Sequence, residues 1–184
     1  MLPDSVKCKP KGGALPPMTP DEFARLLEHF ADPPLPATAT RHVYLCHAEL
    51  PQLQAMLPSN LAVTLDLNGL AGELPKQPYA IDEARRLVQT AIRGWLDNRA
   101  AGATSQQVSV VTGVTLLVRY RVPLTDFFQA ASDSHMIVFV LPPLASNFHP
   151  SRPLPASIQF RPEANLEYFQ TLLGPTSIVG ATGK

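Results

Sequence analysis

Two cysteines in 184 residues, Cys8 and Cys46, are too few for a disulfide framework. The expectation is therefore a reducing, cytoplasmic compartment. No apolar run approaches the roughly 18 residues that a membrane span requires. Lys7, Lys9 and Lys11 are not followed by the apolar segment of a secretory signal. Charge is sparse: 16% of residues are charged, against roughly 25% in an average soluble protein. The 15 basic and 15 acidic side chains cancel, so the whole chain has no electrostatic footprint for a nucleic-acid backbone. Metal-ligand spacing is also missing. There is no Cys-x-x-Cys, and among His29, His42, His47, His135 and His149 no two lie at i, i+4. His42 and His47 lie five apart on one strand and so face opposite sides. G-x-x-x-x-G-K-[ST] does not occur. Gly180-Ala181-Thr182-Gly183-Lys184 has Ile178 where the leading glycine belongs, and reads as a frayed tail.

What is abundant is proline, 20 residues, about twice the usual share, clustered in Pro10–Pro36 and Pro142–Pro162 as extended connectors. Against these stand apolar runs. VSVVTGVTLLV, Val108–Val118, and MIVFVL, Met136–Leu141, are rich in β-branched residues and lack polar alternation. They read as strands buried on both faces. RHVYLCHA, Arg41–Ala48, LAVTLDL, Leu61–Leu67, and Ser157–Phe160 supply further strands. Helical spacing marks the segments between them: Glu49–Leu57, Ile81–Asn98, Leu124–Ala131, and Pro162–Leu173 with Gly174 as its stop. Before the first strand, Thr19 caps a helix with Pro20 in its first turn and Glu22 closing a capping box. Phe23, Leu26, Leu27 and Phe30 form its apolar stripe, and Asp32-Pro33-Pro34 ends it. The order predicts an α/β domain over 19–174: a mostly parallel sheet of about five strands with helices on both faces. Residues 1–18 and 175–184 read as a flexible and a frayed tail.

Ligands of open α/β sheets bind outside the carboxyl ends of the strands. The first such turn offers His47 beside Glu49, a candidate acid–base pair or a strand-end histidine next to a helix-start glutamate. A phosphate loop there would need glycines and a lysine. His47-Ala48-Glu49-Leu50-Pro51 has neither, and it carries a carboxylate of the wrong sign. Arg119 and Arg121 flank Tyr120, and Arg85, Arg86 and Arg93 lie on the longest helix. Positive charge with an aromatic suits a protein contact or a nucleic-acid backbone.

Three segments carry a family resemblance: HVYLCHAELPQLQAML, NLAVTLDLNGLAGEL and VSVVTGVTLLVRYRVPLTDFFQAASDSHMIVFVLP. From Arg41 to about Leu173 the run resembles the small P-loop proteins of the BrxF type of bacterial BREX phage-defence islands. The first segment falls where that family has its Walker A strand and helix, the third where it has its Walker B strand. The resemblance implies a three-layer P-loop NTPase-like architecture and an ATP site. It puts Thr112 where the Walker B acid belongs and Thr115 where a second acid would be. With the phosphate loop absent as well, the expectation is a degenerate scaffold that binds a larger protein partner, with neither hydrolysis nor tight ATP binding. The alternatives are an ATPase-like or hydrolytic enzyme using His47 and Glu49, or a nucleic-acid accessory factor.

Overall fold

The computed structural model describes residues 17–31, 42–73, 80–102, 106–143 and 163–180. Helix α1 (Pro20–Ala31) precedes strand β1 (Val43–Cys46). Then come α2 (Leu50–Met56), β2 (Ala62–Asp66), α3 (Leu67–Gly72), α4 (Ile81–Gly102) and β3 (Gln107–Thr112). Helices α5 (Thr115–Tyr120) and α6 (Thr125–Ala130), strand β4 (His135–Val140), α7 (Glu163–Leu173) and β5 (Ile178–Val179) complete the chain. The strands form one sheet in the order β2-β3-β4-β1-β5, and every pairing is parallel.

Alternation along the strands explains the layers. Val43, Leu45, Val111, Ile137, Phe139 and Ile178 enter a core with α4, α5, α6 and α7. Their neighbours Tyr44, Cys46, Val110, Met136, Val138 and Val179 enter a second core with α1 and α2. Because both faces are covered, β1 and β4 are buried along their whole length. Strand β2 lies at an edge, and there the exposed Thr64 and Asp66 alternate with the buried Leu65. The predicted α/β class, parallel sheet and two-sided helical cover are all present. Among the described residues no helix is long and apolar enough to cross a membrane.

The expected cap of α1 forms: Thr19 N–H donates to Glu22 Oε2 at 2.8 Å and Glu22 N–H to Thr19 Oγ1 at 3.2 Å. Three elements differ from expectation. The run Val108–Val118 is not one strand: β3 ends at Thr112, Gly113 takes φ +69°, and Thr115–Tyr120 coils as α5. The stretch after β2 forms a helix that the sequence reading did not give, α3, capped by Asp66. The end is not frayed from 175 onward. After a 3₁₀ turn at Pro175–Ser177, Ile178 and Val179 add β5 to β1 and are buried. Met18, expected in the flexible tail, bridges Val179: its N–H donates to Ile178 O at 2.9 Å, and its carbonyl accepts Gly180 N–H at 3.2 Å. The expected strand at Ser157–Phe160 lies outside the described residues, as do His149 and residues 1–16 and 181–184.

One polar stripe fastens the helical layer. Arg85, Gln89 and Arg93 recur every four residues along α4, so they share a face. Arg85 Nε donates to Tyr120 O at 2.9 Å, and Gln89 Nε2 to Asp126 Oδ2 at 3.1 Å. Arg93 reaches Asp126 Oδ1 through Nε and Nη2, at 3.2 and 3.0 Å. Asp126 is only 7% exposed, so these donors replace the water that burial removes from its carboxylate.

Candidate functional site

The described helices that follow β1 and β4 in sequence, α2 and α7, lie on opposite faces of the sheet. Helix α2 goes onto one face, through Leu53, and α7 onto the other, through Phe169. In α/β sheets this divergence places the ligand crevice beyond the carboxyl ends of those strands. The turn there begins as an extension of the ladder: His47 N–H donates to Val179 O at 2.9 Å, and Leu141 N–H to Cys46 O at 3.0 Å. Burial pulls the His47 pKa below its ordinary value and pushes the Cys46 thiol up to about 11, so Cys46 stays protonated and unreactive near neutrality. Gly180 fits against this turn with φ +78°. A Cβ there would lie 3.1 Å from the His47 carbonyl oxygen.

Glu49 then opens α2, but its carboxylate is turned onto its own helix. Glu49 and Gln52 form a reciprocal capping box: the Gln52 N–H, held by the Glu49 carbonyl at 3.0 Å, faces the Glu49 side chain, and Gln52 Oε1 accepts the Glu49 N–H at 3.1 Å. Among the described residues no hydrogen bond joins Glu49 to His47, so the candidate acid–base pair is not assembled. The same cap bears on phosphate binding. A phosphate loop presents several free N–H groups to the anion. Here the Gln52 amide faces the chain's own carboxylate, and Pro51 in the first turn has no N–H. The residues present do not fit a nucleotide triphosphate, and no catalytic step through one follows from them.

The ends of β2 and β3 form the second part of the edge. Asp66 and Thr112 are register partners, and Thr112 Oγ1 donates to Asp66 Oδ1 at 3.3 Å. Asp66 Oδ1 also accepts Asn68 N–H, and Oδ2 accepts Gly69 N–H, each at 3.1 Å. Asp66 is the carboxylate that sequence reasoning passed over. Its signal was Asp-x-Asn-Gly, an acidic residue placed to cap whatever follows it. With three hydrogen bonds from its own surroundings it works as a cap and an inter-strand tie. Thr115 is exposed at the start of α5 and adds no carboxylate. Strand β4 separates β1 from β3, so His47 and Thr112 stand about two strand spacings, or about 10 Å, apart. Among the described residues no three His, Cys, Asp or Glu side chains gather as a metal site.

The opposite edge holds a pairing that the sequence did not reveal. Ser109 Oγ lies 2.7 Å from His135 Nε2, and His135 Nδ1 lies 3.1 Å from the Ala130 carbonyl oxygen. A carbonyl only accepts, so Nδ1 carries the proton and Ser109 donates to Nε2. Ser109 is fully buried; this is a satisfied core pair rather than an accessible nucleophile. Burial lowers the pKa of His135, against a smaller rise from the Ala130 carbonyl. Burial also lowers that of His42, opposed by Asp133. The sign of the consequence is fixed. With His42, His47 and His135 all depressed in the folded state, the unfolded chain protonates first as pH falls through about 6.5. Stability is thus lost progressively below that pH. Thermal unfolding is expected to show a lower midpoint at pH 5 than at pH 7; a flat or rising profile would contradict the buried neutral state. Glu22 does not mask this, since Thr19 hydrogen bonds lower its pKa and its contribution is lost only at more acid pH.

The basic–aromatic group sits at the end of α5. Arg119 and Arg121 are exposed and Tyr120 is half-buried, with the Arg119 guanidinium 5.6 Å from the Tyr120 ring centroid. The helix closes in a Schellman motif: Val122 N–H donates to Leu117 O at 2.9 Å and Arg121 N–H to Val118 O at 3.2 Å. Arg121 occupies its left-handed position (φ 51°), the only described residue other than glycine with positive φ. Glycine is usual there, and a side chain costs about 1 kcal/mol. Of the α4 arginines grouped with this patch, Arg85 and Arg93 are engaged inside the molecule and Arg86 is exposed.

Comparison with protein-family models, with curated proteins and with solved structures finds no match.

Proposed function

We propose that this chain is a degenerate P-loop-like domain that no longer handles nucleotide and serves as an interaction or accessory subunit, in a bacterial phage-defence assembly of the BREX kind that its sequence resembles. Two features support the scaffold part of this reading. Strand β1, in the place of the Walker A strand, lies inside an all-parallel sheet and leads directly into helix α2. Strand β3, in the place of the Walker B strand, ends at the same carboxyl edge, one strand removed from β1. The observation that carries the loss of function is the Glu49–Gln52 capping box with Pro51 in the first turn of α2. It turns a carboxylate onto the amide that an anion would use. At the end of β3, Thr112 can donate to Asp66 but brings no charge of its own to hold a cation. Among the described residues at this edge, none supplies a positive charge to stabilise the charge that develops on a transferred phosphoryl group.

A ligand present at 100 times its dissociation constant adds about 2.7 kcal/mol of stability, or roughly 5–10 °C of midpoint for a chain of this size. Millimolar-range ATP with Mg²⁺ is expected to leave the thermal midpoint unchanged. A rise of that size would overturn the reading in favour of a nucleotide-binding enzyme.

A further inference from the structure

Arg121 is placed where the backbone favours glycine, and the arginine's exposed side chain gives the fold nothing visible in return. Among the described residues neither Arg119 nor Arg121 has an ion-pair partner; the pairs present are Arg85–Asp82 and Arg93–Asp126. The backbone carrying them is nonetheless held firmly. Arg85 Nε grips the Tyr120 carbonyl at 2.9 Å, and Tyr168 OH grips the Val122 carbonyl, also at 2.9 Å. Val122 and Leu117 are buried beneath. Two guanidinium groups with no ion-pair partner among the described residues are thus presented from a firmly held backbone, Arg121 at a position that stability alone would give to glycine. Strain retained at an exposed charged residue points to a use for the side chain.

We infer that Arg119 and Arg121 form a docking point for carboxylates on an acidic segment of a protein partner. This inference rests on the accessory-subunit reading and names the surface through which it works. Guanidinium is suited to the planar, two-pronged recognition of carboxylate. One observation favours a protein over single-stranded nucleic acid. The Tyr120 ring is half-buried and already has Arg119 beside it, so it is not a free platform for a base.

Two variants, Arg121→Gly and Arg119→Gln/Arg121→Gln, test it against the parent. Binding is read by fluorescence anisotropy at low salt with labelled poly-glutamate and, separately, labelled oligo-dT; folding is read by thermal midpoint. Poly-glutamate is expected to bind the parent and to weaken by at least about tenfold in both variants. Arg121→Gly is expected to melt roughly 2–4 °C above the parent, so its lost affinity is not lost folding. The inference is overturned if poly-glutamate does not bind, if the variants bind it as the parent does, if oligo-dT binds more tightly than poly-glutamate, or if Arg121→Gly melts lower than the parent. None of these outcomes touches the ATP result, and ATP binding would overturn the accessory reading without restoring or removing this surface.

Discussion

Phe139→Ala is expected to remove about 3–5 kcal/mol of stability, a midpoint loss of roughly 6–20 °C. Phe139 lies in β4, the strand between β3 and β1, and is fully buried. Its ring centroid is 4.9 Å from that of Phe127 on α6, nearly edge-on at 80°, and 5.2 Å from that of Phe169 on α7. One side chain therefore joins the sheet to two helices. Truncation forfeits the burial, leaves a cavity, and removes two aromatic pairs worth about 0.5–1.5 kcal/mol each beyond their area. Since a domain of this kind has only about 5–15 kcal/mol in total, the variant is expected to be close to unfolding at 37 °C. Thermal or urea unfolding checks it, and a loss under about 1 kcal/mol would show that the three rings do not form one packed centre.

The second large effect comes from a single added methyl group. At Gly113, φ is +69°, and a Cβ would meet Asn68 Nδ2 at 2.8 Å and the Asn68 backbone nitrogen at 3.0 Å. A flexible amide can swing away; a backbone nitrogen in the first turn of α3, beside the Asp66 cap, cannot. Gly113→Ala adds left-handed strain to that clash and is expected to destabilise by roughly 2–4 kcal/mol. Gly94→Ala is the matched control. Gly94 lies within α4 with nothing within 4 Å of its added Cβ, so the same substitution is expected to stabilise by about 0.5–1 kcal/mol. Opposite signs from one chemical change would establish that the junction of β3, α3 and α5 is built around Gly113. Equal effects would contradict it.

These two sites also show what could be read in the chain and what could not. The buried runs around Val110 and Val138 announced a sheet covered on both faces, because a half-wetted strand would alternate. Thr19, Glu22 and Gly174 announced helix ends through local chemistry, and the structure uses all three. Thr115–Tyr120 misled, since TLLVRY extends an apolar run already reading as strand. Short apolar runs do not separate strand from helix by periodicity. The deciding element is Gly113, whose left-handed turn breaks the ladder. Strand β5 was invisible for a different reason: two residues, Ile178 and Val179, have no pattern, and only pairing with β1 across the sheet makes them a strand. The candidate edge was half legible. The lack of glycine and lysine after Cys46 was plain in the sequence, whereas the use of Glu49 as a cap and of Asp66 as a tie to Thr112 depends on directions that spacing does not encode. Asp126 could not have been placed at all, because its burial is made tolerable by Arg93 and Gln89 more than 30 residues away.

Under the proposed function, the turn from His47 to Leu53 keeps the place of a phosphate loop without its grip. At 20.0 kDa the backbone amides of the protein are accessible to two-dimensional NMR, and those of His47, Ala48, Glu49, Gln52 and Leu53 can be followed during titration with Mg²⁺-ATP. The capped turn predicts resonances that do not move as nucleotide is added. Saturable shifts concentrated on these amides would mean that the Glu49–Gln52 cap opens to admit a phosphate, and would contradict the loss of nucleotide handling.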